Sequence, residues 1–272
     1  MPWTKEAREK GLKRCVEVRT QIRDLLKRDP ILWKQYNEKR HCITYTKNNA
    51  IELTEKQKQL ILGTLLGDSC IDIARTCKHP RVRGAHTIRQ TEYTMWIYSE
   101  LSNLFASKPK TRIDKINGKL HEQISFQTRS LRCLLPIYNI VVVNGKKTIT
   151  EAWIQAISNN TYHGLALAML YMDDGGLSHK TTTVGNKSAS SMNIALGNKT
   201  ITECEILRDW IKQEFGIPSS IHIKNHLCKN GEYEKILYIT GIKNMLHFKT
   251  IIEPYVTNDM QYKIDIKYRN NQ

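Results

Sequence analysis

The 272-residue chain lacks several signals that would have placed it quickly. No apolar run approaches the ~20 residues of a membrane span. The run Leu60–Leu66 is broken by Gly63 and Thr64 and runs on to Asp68. The opening MPWTKEAREKG holds no apolar signal-peptide core, and its Glu6 and Glu9 argue against a transit peptide. The seven cysteines are odd in number and irregularly spaced, without a CxxC, so neither a disulfide framework nor a zinc ribbon is indicated. There is no GxxxxGK[ST] phosphate loop, and no local frame for a Ser/His/Asp or Cys/His nucleophile. These absences predict a reduced, soluble, intracellular protein.

Acid is also scarce. Asp+Glu number 26 against 42 Lys+Arg, a formal net charge of +16. Hydrophobic residues make up 40%, enough for a core. The excess of positive charge points to a polyanionic partner, nucleic acid first and an anionic membrane surface second. Composition alone does not separate DNA from RNA, or binding from catalysis.

Residues 1–50 read as a basic helical extension, with thirteen Lys/Arg against six Asp/Glu. Thr4 can cap a helix carrying Leu12, Val16, Ile22 and Leu25; Asp29-Pro30 ends it, and Pro30 opens a second short helix. From Thr54 the pattern changes. Thr54-Glu55-Lys56-Gln57 is a capping box ahead of an apolar run that stops near Asp68. A strand from Ile71, the alternating RVRGAHTIRQ and a helix over 93–106 follow. Asn117-Gly118 between two alternating runs predicts a type I′ hairpin. LRCLLPIYNIVVV and TEAWIQAIS supply further helix, interrupted near Asn144-Gly145. The order then recurs. Thr161 caps an apolar helix ending in Asp173-Asp174, SSMNIALG reads as strand, and Thr202-Glu203-Cys204-Glu205 is a capping box that opens a helix through Phe215. IHIKNH and KILYIT are strands, and 242–252 is helix. Helix, two strands, helix, two strands, helix thus appears twice, which a divergent duplication explains. The expected fold is α+β, with repeats over 51–157 and 158–272 after the extension.

The two apolar helices carry the chemistry. Each bears small residues, Gly63 and Gly67 on one and Ala166 and Ala168 on the other, which let two helix backbones approach closely. Each ends in a carboxylate, Asp68 or Asp174, against the helix dipole, at a cost of roughly 0.3–1 kcal/mol. Packed side by side, the two acids would meet and repel unless a divalent cation sat between them.

The segments ILGTLLGDS and LYMDDGG, with VNGKKTI and QYKI after them, resemble the paired motifs of the LAGLIDADG homing endonucleases in their single-chain, two-motif form. The resemblance covers about residues 52–270 and leaves out residues 1 to about 50. It implies a pseudo-two-fold αββαββα duplication with two antiparallel sheets saddling the DNA major groove. It implies that Asp68 and Asp174 are catalytic and bind the metal, and that Gly67 and Asp173 add backbone carbonyls, Asp173 being a non-catalytic neighbour. It implies a lysine near each half-site, Lys147 and Lys263, with Lys146 the rival for Lys147. The cofactor is Mg²⁺, with Mn²⁺ able to substitute. The activity implied is site-specific double-strand cleavage of a long asymmetric DNA target, one phosphodiester per strand, leaving short 3′ overhangs and starting intron mobility. The alternative is an RNA-binding intron maturase, with intron RNA as partner, or a catalytically silent DNA binder. A monomer suits an asymmetric site. The protein would work in whichever compartment holds the host genome, organelle, bacterial or phage-infected cytoplasm, or nucleus. The lack of splicing-domain signals favours a free-standing or intron-encoded enzyme over an intein.

Period-2 alternation assigns the sheet faces. Lys119, His121, Gln123, Ser125 and Gln127 face away from Leu120, Ile124 and Phe126, with Glu122 breaking the pattern. Arg81, Arg83, Thr87 and Arg89 share a face, as do Ser191 with Asn193 and His222 with Lys224; Tyr238 is placed outward. On the family's sheets these become the DNA-reading side chains, Arg and Gln being suited to bidentate contacts with guanine and adenine edges.

Overall fold

The computed structural model describes residues 16–17, 19–21, 23–24, 28–35, 50–116, 118–158, 161–181, 187–228, 231 and 233–266. The chain forms two compact units, Met1–Ala50 and Ile51–Gln272. In the first, Asp29 Oδ1 accepts from the N–H groups of Ile31 (2.9 Å) and Leu32 (3.1 Å), capping a helical turn that Pro30 opens. Thr4, Leu12, Ile22 and Leu25 lie outside the described residues.

The second unit repeats one topology. Its first half contains α1 (Glu55–Leu66), β1 (Cys70–Asp72), β2 (Arg81–Thr87), α2 (Thr91–Glu100), β3 (Lys110–Ile116), β4 (Lys119–Gln127) and α3 (Leu135–Val141). A two-stranded hairpin, β5 (Val142–Val143) with β6 (Lys146–Lys147), and α4 (Glu151–Ile157) lead to the second half. That half contains α5 (Leu165–Asp174), β7 (Gly175–Thr181), β8 (Lys187–Gly197), α6 (Ile201–Phe215), β9 (Ser220–Leu227), β10 (Tyr233–Thr240) and α7 (Ile242–Ile252). The two four-stranded sheets have matching orders, β1-β2-β4-β3 and β7-β8-β10-β9, and every pairing is antiparallel.

Local chemistry accounts for the boundaries. Thr54 and Gln57 complete a capping box at α1; at α6 the expected Thr202–Glu205 box is corrected to Thr200 with Glu203, because Thr200 holds the extended N-cap conformation and the helix begins at Ile201. Gly216 ends α6 at φ +66°, a left-handed conformation that costs glycine little. At α5 the expected cap is corrected: Gly164, φ +88°, is the N-cap, and Thr161 lies in the preceding turn. A second correction concerns Asn144-Gly145. Both residues have positive φ, +50° and +75°, and Val143 pairs with Lys146, so a two-residue hairpin replaces the interrupted helix. The Ile116–Lys119 pairing leaves two residues for the turn between β3 and β4. Of these Gly118 has φ +82°, and Asn117 lies outside the described residues.

Helices α1 and α5 form the spine. Both are buried around their whole circumference over most of their length, as expected of helices with core on every side. Glycine permits the close crossing. A Cβ on Gly63 would lie 2.6 Å from Ala166 Cα, and one on Gly67 would lie 2.4 Å from Asp173 Cβ. Because the obstacle at Gly63 is backbone, Gly63→Ala is expected to destabilise the fold by about 1–3 kcal/mol, the usual range for overpacking. Chemical denaturation of the variant checks this.

Candidate functional site

The helix pair delivers three carboxylates to one end. α1 stops at Leu66, so Asp68 stands just past its C-cap Gly67, whereas α5 runs through Asp173 and Asp174. Gly67 and Asp173 occupy matching motif positions and face each other, and the missing side chain of one makes room for the other. The Asp173 side chain is fully buried. Its Oδ1 accepts from the Tyr93 hydroxyl (2.8 Å), and its Oδ2 accepts from the Asp68 N–H (3.2 Å) and the Thr64 hydroxyl (3.3 Å). His86 Nε2 lies 3.4 Å from Oδ1, with its Nδ1 2.8 Å from Thr94 Oγ. Burial, then the charge of Asp173, pushes the Tyr93 hydroxyl far up, which keeps it protonated as a donor. Asp173 is therefore a lock on the Asp68 backbone. Tyr93→Phe removes one of three neutral donors to this buried carboxylate, and is expected to cost roughly 1–3 kcal/mol in thermal or chemical melts.

Asp68 and Asp174 are placed differently from Asp173. Asp174 is pushed up to about 7, first by burial and then by the charges of Asp68 and Asp173, with Lys199 and Lys147 opposing. Asp68 is also raised, first by burial and then by Asp173, with His86, Lys263 and Lys147 opposing. Desolvation is thus the first cause at both acids, with the neighbouring carboxylates and lysines acting against one another beneath it.

Two lysines flank the acids in matching ways. Lys147, presented by the β5–β6 hairpin, donates to the carbonyls of Gly67 (2.6 Å) and Ser69 (2.9 Å). Lys263, presented by the 3₁₀ turn Asn258–Lys263, donates to the carbonyls of Met172 (2.5 Å) and Asp173 (3.1 Å). The carbonyls of Gly67 and Asp173, expected as metal ligands, each accept from a lysine here. Lys147 is lowered to about 8, first by desolvation of its ammonium and then by Lys199, and Lys263 is lowered mainly by burial. Lys146, its rival in the sequence, makes no such contact with these carbonyls; its own carbonyl accepts from the Thr148 hydroxyl at 3.2 Å.

The donor set suits a hard divalent cation. Asp68 and Asp174 supply carboxylate oxygens, the charge of the first raising the cost of ionising the second, which a cation would relieve; this is the hard-oxygen chemistry that Mg²⁺ and Mn²⁺ prefer. Asp68, His86 and Asp173 also bring ligand atoms within 4.8 Å of one another. Both oxygens of Asp173 are already engaged by donors, however, so that trio is a polar lock around the centre.

The outer sheet faces follow the alternation, with corrections. Cross-strand pairing aligns Arg83 with Gln127 and Thr87 with Gln123, and sets Ser125 and His121 on the same side. Arg89 leaves this row, because β2 stops at Thr87 and a 3₁₀ turn covers Ile88–Gln90. Arg81 and Arg83 share Asp72, with nitrogen–oxygen distances of 3.1 and 3.3 Å, so part of their charge is already neutralised. The Lys119 side chain lies outside the described residues. On the second sheet Asn193 pairs with Tyr238, and the His222 ring lies 4.8 Å from the Tyr238 ring, with Lys224 Nζ 5.9 Å from its centroid. Ser191 is on this face but only 6% exposed, so it is a poor reader of anything outside the protein. A groove of about 920 Å³ joins the first sheet to the centre, with Asp68, Lys110 and Arg112 among its lining residues.

His86, Tyr93 and Lys199 were absent from the residues singled out in the sequence. The aromatic and imidazole groups act across the helix pair, at separations that local patterns do not reveal. Only the chemistry of an isolated His two residues inside a basic strand hinted at His86.

Two sheets with basic outer faces, joined by a duplicated helix pair that ends in acids and lysines, define a class: two-motif nucleic-acid proteins with a composite acid–lysine centre. The family model of the LAGLIDADG DNA endonuclease family matches residues 58–248, and the chain belongs to that family. The structure of the homing endonuclease I-WcaI bound to its DNA recognition sequence shares the fold, with a TM-score of 0.67 at 23% identity, covering 90% of this chain and 98% of that one. A cytochrome b mRNA maturase bI2 from Debaryomyces hansenii is 25% identical over 217 residues, covering 78% of this chain and 74% of the maturase. The RecA protein of Mycolicibacterium flavescens is 26% identical over 222 residues, 80% of this chain. The chain spans about half the length of that relative, 48%. Among the described residues no helix is long and apolar enough to cross a membrane.

Proposed function

We propose that the chain is a site-specific double-strand DNA endonuclease that hydrolyses one phosphodiester in each strand of a long asymmetric target. It leaves short 3′ overhangs and starts intron mobility. The observation that carries this is the matched placement of Lys147 on Gly67 and Ser69 and of Lys263 on Met172 and Asp173, either side of Asp68 and Asp174. Two acids whose pKa values are raised, beside two lysines whose values are lowered, are the mark of a working centre and support this reading over a silent scaffold.

Asp68 and Asp174 would hold Mg²⁺, or Mn²⁺ in its place. When bound, the metal supplies Lewis-acid stabilisation of the charge on the phosphorane and the leaving 3′ oxygen, and eases ionisation of the attacking water. Lys147 and Lys263 neutralise the scissile phosphates or orient the water at their own half-site. Asp173 holds the Asp68 backbone in place and takes no part in the chemistry. The outward rows on the two sheets, with Arg83, Gln123, Gln127, Asn193, His222 and Lys224 among them, read or grip the duplex. The same reading divides the chain into the extension 1–50 and repeats over 51–157 and 158–272. It has the protein act as a monomer, because one chain already supplies both motifs. Its place of action is the compartment of the genome that carries its target.

The test is incubation with Mg²⁺ and DNA spanning candidate intron-insertion junctions, with and without EDTA, followed by mapping of the ends. Metal-dependent breaks with short 3′ overhangs support the proposal. Tight binding without cutting points to the silent binder, and preference for intron RNA over DNA points to the maturase.

A further inference from the structure

The two lysines sit on unlike supports, yet each support is pinned by the opposite half. Two residues past the Lys147 hairpin stands the buried Ile149, whose N–H donates to Glu203 Oε1 at 2.9 Å. Glu203 is the capping-box acid of α6, in the second half, and its other oxygen accepts from the Thr200 N–H at 2.8 Å. The Lys263 turn carries Asp259, whose Oδ2 accepts from the Tyr93 N–H at 3.0 Å. Tyr93 lies in the first turn of α2, in the first half, where the N-cap Gln90 offers no side-chain cap. Asp259 therefore caps a helix of the other half, and its Oδ1 is steadied by the Thr257 hydroxyl at 2.7 Å. In both cases the pin is at the N-terminus of the helix that follows the first strand pair, α2 or α6. That end offers unpaired N–H groups and a favourable field for a carboxylate. The acid comes from the helix in one case and from the lysine segment in the other, so the link has been reached with reversed polarity. The point of attachment in the lysine segment is Ile149, two positions after Lys147, and Asp259, four before Lys263. Either lysine would drift from its carbonyls if its pin were lost.

We infer that Glu203 and Asp259 are positioning residues, each fixing the lysine of one half-site by tying it to the other half of the molecule. The inference rests on the nuclease reading. Its distinctive consequence is strand selectivity: loss of one pin should spoil one half-site and spare the other. A residue that merely stabilises the fold would affect both strands alike.

The experiment uses the full chain and a plasmid carrying a cleavable site, with each strand's nick followed separately. Lys147→Met and Lys263→Met define the strand that each lysine serves. Glu203→Ala is expected to slow the Lys147 strand by about 10–100-fold, the scale of a 1 Å misplacement, and to leave the other strand within about two-fold. Asp259→Ala is expected to slow the Lys263 strand in the same way, so nicked circles of opposite polarity accumulate. Asp259→Asn keeps an oxygen for the Tyr93 N–H and is expected to restore the wild-type balance. Thr200→Ala removes the hydroxyl that donates to Glu203 Oε2 at 3.0 Å, so it loosens the Lys147 pin and should show that strand's bias in weaker form, with a lower melting temperature from the lost cap. Should Asp259→Ala fail to fold, Thr257→Ala loosens the same pin and should show the same bias in weaker form. Equal slowing of both strands by Glu203→Ala and Asp259→Ala, with the lysine variants strand-selective, overturns the inference and leaves the nuclease reading standing. Lysine variants that slow both strands equally overturn it as well. A wild-type chain that cuts no DNA overturns both.

Discussion

Asp174→Asn is expected to abolish cleavage and, in the same protein, to raise the melting temperature of the metal-free chain at pH 8. The reason is the cost of holding this charge in the fold. Asp174 is pushed up from its ordinary 3.8 to about 7. Its folded pKa exceeds its unfolded one, so the folded state binds the proton more tightly. The penalty is absent below about pH 4, grows as pH rises between about 4 and 7, and is complete above that. Three pKa units correspond to on the order of 4 kcal/mol. Asparagine fills the same volume without charge and removes the penalty, which amounts to a gain on the order of 8–16 °C for a domain of this size. Calorimetry in EDTA at pH 8 and pH 4 reads it, with the gain shrinking towards the lower pH. Activity moves the other way. Losing a metal ligand forfeits several kcal/mol of charge stabilisation, on the order of 10³-fold in rate. An unchanged melting temperature at pH 8 contradicts the electrostatic account of the centre.

Affinity for duplex DNA is expected to fall by about 10³–10⁵-fold between 50 and 200 mM salt, the response when some 6–10 phosphates displace counterions. The net charge of +16 makes that number of contacts attainable. The arginines should not contribute equally. Arg81 and Arg83 share Asp72, and Arg112 lies 2.9 Å from Asp114, so each enters the interface partly neutralised. Lys110 lines the same groove and is exposed. Lys110→Ala is therefore expected to flatten the log–log salt slope by about one, and Arg81→Ala by less. Fluorescence anisotropy across a salt series measures both, and equal slopes for the two variants contradict the pairing argument.

Sequence patterns carried much of this molecule because much of it is local. The capping box at Thr54 marks the start of α1, since a cap depends on four consecutive positions, whereas at α6 two overlapping frames fit the pattern and the true cap, Thr200 with Glu203, lies two residues before the expected Thr202. The alternation over Lys119–Gln127 is legible because period 2 is a backbone property, and burial of Ile124 and Phe126 follows from it. It loses force near the hairpin end, where Leu120 is 74% exposed. Asp68, Asp174, Lys147 and Lys263 are legible as candidates through motif resemblance, and Lys147 and Lys146 differ in what they touch. Lys147 reaches two carbonyls of the Gly67–Ser69 turn. Asn144-Gly145 was misjudged although Asn-Gly is a strong turn signal, because the strands on either side are only two residues long and read as helix ends. Asp173, Tyr93 and His86 form contacts across the helix crossing, and Glu203 and Asp259 form theirs between halves. Such pairs depend on tertiary placement and leave no spacing to read.

The central claim is that Asp68 and Asp174 together form the centre that cuts DNA. The direct measurement is a side-by-side assay of wild type, Asp68→Asn and Asp174→Asn on one target duplex, in Mg²⁺, scoring binding and cleavage in the same samples. The account predicts that all three bind with similar affinity, that only the wild type cuts, and that each substitution alone suffices to stop both strands. Cleavage by either variant at the wild-type rate contradicts it.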